Sequence, residues 1–216
     1  GIRDRNAWNE EDVVATVRSI LDHYLGPPPA TVTVDGRNMT PGEYLADVVR
    51  LNPDDYVDLF SLMEKPYFRK AEFVVPDNWW LSMEYYNIPM DDFMRTLKNA
   101  IRNGYSVAIG GDFSEAGYSY GSAGIAVVPS FDIPSSGIDE LSRQFRFSNG
   151  TTTDDHGLHL VGYAEKDGKD WYLVRDSWST AYNSAHPGYY FFHEDYVKLK
   201  MLGFTVHKDA ARDVLA

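Results

Sequence analysis

Apolar and polar residues change their rhythm along this chain, and each change marks an element. Near the start, Val13, Val14, Val17, Ile20, Leu21, Tyr24 and Leu25 recur at helical spacing and make one apolar face. Asn9 precedes them as an N-cap, and Glu10, Glu11 and Asp12 fill the first turn, where the helix dipole favours negative charge. Gly26 and the prolines at 27–29 stop this helix. A short strand over 31–34 turns at Asp35-Gly36, and Thr40 followed by Pro41 opens a helix to about Leu51. Residues 52–55 begin a further turn. Over 65–89 the period is lost among Pro66, Pro76 and Pro89. Trp79, Trp80, Tyr85 and Tyr86 in this stretch suit packing between layers or the wall of a peptide groove, packing being the commoner use.

A helix over 90–103 sets Phe93, Met94, Leu97, Ala100 and Ile101 inward and closes at Gly104. Beyond it the rhythm is that of strands, at 106–111 and 123–128. The polar stretch 129–150, with its Gly and Ser, reads as a long surface loop. Strands at 156–164 and 170–178 are joined by Lys166-Asp167-Gly168-Lys169, where Asp-Gly tolerates the positive φ of a hairpin turn. Strands at 189–192 and 202–206 bracket a helix around 194–200. Helices come first and strands later, an α+β order. It divides the chain into a mainly helical region, 1–75, and a β-rich region, 76–216.

Composition narrows the function classes. The 216 residues, 44% of them hydrophobic, suffice for a sizeable core. A net charge of -12 argues against nucleic acid or an anionic membrane as partner, since both are polyanions. No apolar run approaches the roughly 20 residues of a spanning helix. There is no cysteine, so the chain holds no disulfide, no thiolate metal site and no cysteine nucleophile. The first residue is Gly, which points to a processed subunit, a fragment or a tag remnant.

The stretch 151–180, TTTDDHGLHLVGYAEKDGKDWYLVRDSWST, sets a histidine at the entrance of one strand and Asp-Ser-Trp at the end of its partner. It resembles the His–Asn half of papain-like cysteine peptidases, in the branch of bleomycin hydrolase and aminopeptidase C. There a Thr/Asp-rich lead-in, the catalytic His, a VGY-like strand and an Asn-Ser-Trp-Gly segment follow in this order. The likeness continues in VPDNWW (75–80), YNIPMDDFMRTLKNAIRNGYSVAIGGDFSE (86–115) and GYYFFHEDYVKLKMLGFTVHKDA (188–210). Two positions depart from the pattern: Asp176 replaces the family Asn, and Ser179 its Gly.

The resemblance implies an α+β, papain-like fold, a helical insertion region followed by an antiparallel, barrel-like β domain, with the Cys-bearing part outside this chain. It implies that His156 is catalytic, that Asp176 orients it, and that Ser177 and Trp178 support the contact, Trp178 by keeping water off it. Asp155, Gly157 and Ala216 are then expected at the substrate cleft. In this branch the C-terminal arm lies in the cleft, where its carboxylate holds a substrate ammonium; here the chain runs on past His207-Lys208-Asp209-Ala210 to Ala216. Peptide substrates, the chain's own Cys-bearing segment as partner, a hexameric ring and a cytoplasmic home are carried over with it, an exported form also being compatible. No cofactor and no metal are expected.

The residues themselves leave the choice between two histidines open. A two-residue turn at Asp167-Gly168 sets Asp176 opposite His159; a three- or five-residue loop centred on Lys166 sets it opposite His156. The family motif favours His156, which directly follows the Thr/Asp-rich lead-in. Three residues apart on one strand, His156 and His159 point to opposite faces, which argues against a shared metal. The leading expectation is therefore the C-terminal portion of a cysteine aminopeptidase. Its rivals are an inactive homologue serving as a binding or structural module, favoured by the missing Cys and the two departures, and a metal-dependent hydrolase using both histidines.

Overall fold

A computed structural model describes residues 9–118, 124–177 and 186–215. The expected roles of Trp178, Ser179 and Ala216 fall on positions outside the described residues. Two compact units divide the chain, residues 1–53 and 54–216. In the first, α1 spans Glu10–Leu25, and Asn9 Oδ1 accepts from the backbone N–H groups of Glu11 and Asp12. Its apolar stripe is exposed, Val14, Val17, Ile20 and Leu21 each about half so. Strands β1 (Val32–Val34) and β2 (Arg37–Met39) form a hairpin whose turn residues, Asp35 and Gly36, both take positive φ. Thr40 and Glu43 close a capping box on α2 (Pro41–Glu43), which continues as a π-helix over Tyr44–Val49.

The second unit is built on a sheet. Among the described residues nine strands pair in the order β4-β5-β3-β11-β6-β8-β9-β10-β7. They are β3 (Tyr56–Phe60), β4 (Arg69–Ala71), β5 (Tyr85–Asn87), β6 (Val107–Gly111), β7 (Ile125–Ala126), β8 (His156–Lys166), β9 (Lys169–Arg175), β10 (Tyr189–His193) and β11 (Met201–His207). Pairing is antiparallel except for β3 with β5 and β10 with β7. Among the described residues the sheet is open, with β4 and β7 as its edges.

The units part at 53, not near 75, because β3 and β4 belong to this sheet. Short strands in an aperiodic stretch escape a pattern reading. What orders this one is a single buried side chain, Asn87, which donates to the carbonyls of Leu62 (2.9 Å) and Lys65 (2.8 Å) and accepts from Leu62 N–H (3.0 Å).

The main core lies on one face of the sheet, under α3 (Met90–Arg102) and α5 (Glu194–Lys200). Phe93, Leu97, Ala100 and Ile101 of α3 meet Ile109 of β6, Leu158 and Leu160 of β8, and Val174 of β9 there. Asp170 at the start of β9 is buried and held by both Nη atoms of Arg102 (2.7 and 3.0 Å) and by Lys98 (2.9 Å), which keeps its carboxyl below the usual range. The stretch 129–150 is not a plain surface loop. It contains α4 (Glu140–Ser148), started by a box in which Asp139 Oδ1 accepts from Ser142 N–H and Ser142 Oγ accepts from Asp139 N–H. Its anchor is Arg143, wholly buried, which donates to the carbonyls of Lys198 (2.7 Å), Ser61 (3.0 Å) and Leu202 (3.2 Å) and lies over the Phe93 ring. Leu141 and Phe145, four residues apart, are exposed while Arg143 is buried, so the apolar pattern does not mark the buried face of this helix.

Candidate active site

The hairpin of β8 and β9 settles which histidine meets Asp176. Its turn is the tight one: Lys166 pairs with Lys169, and Asp167 (φ 56) and Gly168 (φ 73) both take positive φ. That register alone would set Asp176 opposite His159. It slips between Leu160 and Gly162, however, where Val161 enters as an extra residue on β8. Beyond this bulge His159 pairs with Arg175, which aligns Asp176 with Leu158 and hence with the face of His156. Neither register drawn from the turn alone occurs; a one-residue bulge chooses the face.

His156 Nε2 lies 3.2 Å from Asp176 Oδ1, and Ser177 Oγ donates to the same oxygen at 3.4 Å. The Asp176 side chain is 1% exposed and that of His156 33%, so the carboxylate is sheltered while the ring reaches solvent. Asp176 is fixed through its backbone as well, its N–H donating to Gly188 O at 2.8 Å. On the other side the imidazole packs against the Phe113 ring, centroids 4.8 Å apart.

Phe113 is itself positioned by two carboxylates that knit the loop after β6 to the lead-in of β8. Asp155 accepts from Phe113 N–H (2.9 Å) and Ser114 Oγ, and its own N–H donates to Gly111 O (3.1 Å). Asp112 accepts from Thr153 N–H (3.0 Å) and Ser114 N–H (3.2 Å). Burial, with Glu115 and Asp155 nearby, pushes the Asp112 carboxyl up to about 6. Below it Lys200, 4% exposed, pairs with Glu115 and donates to Thr152 Oγ1. Asp155, expected at the cleft, thus serves as a brace behind the histidine.

On the sheet face away from the core runs a trough of about 570 Å³. One of its rows is Asp58, Thr205, Ala108, His159 and Arg175, partners in register across β3, β11, β6, β8 and β9. The next row holds Gly203, Gly110 and Gly157, and the trough is also lined by Asp176 and Ser177. Asp77, Tyr85 and Asp154 wall it at the β3–β5 side. Burial first, then the charges of Asp77 and Asp155, pushes the Asp154 carboxyl up to about 7.

Asp77 and Asp154 carry no periodic mark in the sequence. Asp154 belongs to the lead-in of His156 and Asp77 to the VPDNWW segment, both quoted as family likeness; Asp58 lies on the unanticipated β3. The alternation of Asp58 with buried Leu59 was the one available signal. Of the arm expected in the cleft, residues 208–215 are described, and their Ala211 and Val214 are buried in the main core, on the side of α3. Among the described residues no three metal-binding side chains converge, and no helix is long and apolar enough to cross a membrane.

A family model, the Peptidase C1-like family, matches residues 10–215. Among solved structures, the chain is similar to PepW from Lactobacillus rhamnosis HN001, with a TM-score of 0.69 at 20% identity. The match covers 95% of this chain and 50% of that one, so the chain spans about half the length of the protein it matches. At this identity the likeness concerns the fold, which is α+β and papain-like. No curated protein matches the sequence.

Proposed function

The chain belongs to the Peptidase C1-like family, and on that premise we propose that it supplies the histidine–aspartate half of the active site of a cysteine aminopeptidase. The observation that carries the reading is the 3.2 Å contact of His156 Nε2 with a sheltered Asp176. With Nε2 held by the carboxylate, Nδ1 is the nitrogen left to take a proton from a thiol. This chain has no cysteine, so the thiol comes from a segment outside it.

The reaction then runs in two halves. The thiol gives its proton to His156 Nδ1, and the thiolate attacks the peptide carbonyl carbon. As the C–N bond breaks, the imidazolium returns the proton to the leaving amine, and a thioester stays on the sulfur. Water, losing a proton to the same nitrogen, hydrolyses the thioester and restores the thiol. Asp176 holds the ring in the correct tautomer throughout and faces the positive charge that forms on it. Phe113 limits tilting of the ring, an ordering that favours reaction by holding the nitrogen in line.

One further reading has an observation behind it: a peptide-binding homologue without catalysis, favoured by Asp176 in place of the family Asn. Intact mass of the native protein from its source, measured under denaturing conditions beside peptide hydrolysis, separates the two. The peptidase reading expects a mass well above 24.5 kDa or a second chain that co-purifies. It also expects release of N-terminal residues that thiol alkylation stops and an N-terminal block prevents. A lone 24.5 kDa chain that binds peptides and cleaves none would establish the non-catalytic reading instead.

A further inference from the structure

His156 is held from two sides. Asp176 meets Nε2, and the Phe113 ring lies beside the imidazole, its plane tilted by 37° and its centroid 4.8 Å away. Phe113 is itself buried, with the rings of Tyr118 (3.9 Å between centroids) and Phe192 (5.9 Å) as core neighbours. It stands on the loop after β6, and the residue before it, Asp112, is 3% exposed. A carboxylate so deeply placed costs solvation, so what it holds together is informative.

Each of its oxygens takes a backbone N–H from a different segment. Oδ2 accepts from Thr153, in the lead-in of β8 three residues before His156; Oδ1 accepts from Ser114, the residue after Phe113. The Asp112 backbone is anchored on α5, its N–H donating to Lys200 O (3.0 Å) and its carbonyl accepting from the Tyr196 hydroxyl (2.9 Å). The carboxylate thus sets the spacing between the segment that carries the imidazole and the segment that carries the ring beside it. Charge strengthens both ties, and protonation would turn one acceptor oxygen into a hydroxyl. Burial disfavours the ionised form, as do Glu115 and Asp155, while Lys200 favours it. Lys200 is buried, pairs with Glu115 and donates to Thr152 Oγ1 (3.2 Å), which fixes that cation beneath the tie.

We propose that Asp112 is a positioning residue for His156: by tying Thr153 to Ser114 its carboxylate keeps the Phe113 ring against the imidazole. The proposal rests on reading His156 as the acid–base group of a peptidase. An aromatic face this close to an imidazole favours its protonated form, the form that returns the proton to the leaving amine. Asp112 acts on that form through Phe113, and the site slackens when Asp112 is neutral.

Titration of the 216-residue chain by histidine and carboxyl NMR tests it, with Asp112→Asn, Phe113→Leu, Phe113→Tyr and the Asp112→Asn/Phe113→Leu double variant beside the wild type. The His156 ring protons of the wild type should carry an upfield ring-current shift from Phe113. Phe113→Leu should abolish it, Phe113→Tyr should keep it, and Asp112→Asn should remove most of it. His156 should bind its proton about threefold less tightly in Phe113→Leu, and Asp112→Asn should match that loss. The double variant should lose no more than either single one, because both remove the same contact. A folded Asp112→Asn chain that keeps the ring-current shift would overturn the proposal. Losses that add in the double variant would overturn it too, since Asp112 would then act on His156 by charge alone. If a variant does not fold, the wild type decides. Its Asp112 carboxyl carbon and the amide protons of Thr153 and Ser114 should titrate together near pH 6, and amides indifferent to that carboxyl would sink the tie. No readout involves peptide cleavage, so failure here and failure of the peptidase reading are separate results.

Discussion

The two faces of the central sheet are made by the same strands and have opposite character. On one, Leu158, Leu160, Ile109 and Val174 are closed under α3; on the other, Gly157, His159, Ala108 and Arg175 stand one residue away from them in sequence and line an open trough. Alternation along each strand separates a face that buys stability from a face that keeps room for a ligand. Small residues on the second face are therefore informative: a Cβ on Gly157 would meet no atom within 4 Å, whereas at Gly110 and Gly203 it would press on the Asp154 carboxylate and on Leu59 O, so the open space lies above Gly157. His156 and Asp176 sit at the end of the core face, where the buried side gives way to solvent, and so combine a sheltered carboxylate with a reachable ring.

The comparison breaks if the faces respond alike to substitution. The largest loss is expected at Arg143 on the core side: Arg143→Met keeps volume but removes three hydrogen bonds to buried carbonyls, which should cost about 3–5 kcal/mol in chemical denaturation. Leu160→Ala, at a wholly buried position, should cost about 3 kcal/mol, against about 0.5 kcal/mol or less for His159→Ala next to it. Similar losses at 159 and 160 would mean that the trough face is packed too.

A smaller effect comes from pH. Asp154 titrates at about 7 in the fold against 3.8 ordinarily, so the fold favours its neutral form. Its contribution is fully present below about pH 4 and is lost as pH rises through 7, a change on the order of 2 kcal/mol after allowance for its partial exposure. Asp112, at about 6, adds in the same direction. Asp154→Asn should flatten unfolding free energy across pH 4–7 relative to wild type; an unchanged slope would show that the acidic end is well solvated. Smallest in stability is Gly157→Leu, at most about 1 kcal/mol, since its side chain enters open space at an ordinary φ.

Much of this was legible in advance where residues repeat a period. The α1 and α3 boundaries, the Asp167-Gly168 turn and the strands on either side of it follow from spacing and turn chemistry. What escaped depends on single side chains or single residues. Asn87 and Arg143 order whole segments through hydrogen bonds to backbone carbonyls, which leave no periodic trace. The Val161 bulge shifts the register by one and moves Asp176 from the face of His159 to that of His156, a change no turn rule contains. The acidic end of the trough assembles Asp58, Asp77 and Asp154 from three separate segments, so only tertiary structure reveals it.

The account turns on His156 and Asp176 sharing one face through that bulge, and ring-nitrogen NMR of the chain, wild type against Asp176→Asn, tests this most directly. We predict that neutral His156 carries its proton on Nε2, and that the substitution shifts this resonance while leaving His159 unmoved. A His156 ring protonated on Nδ1 and indifferent to position 176, with His159 responding instead, would contradict it.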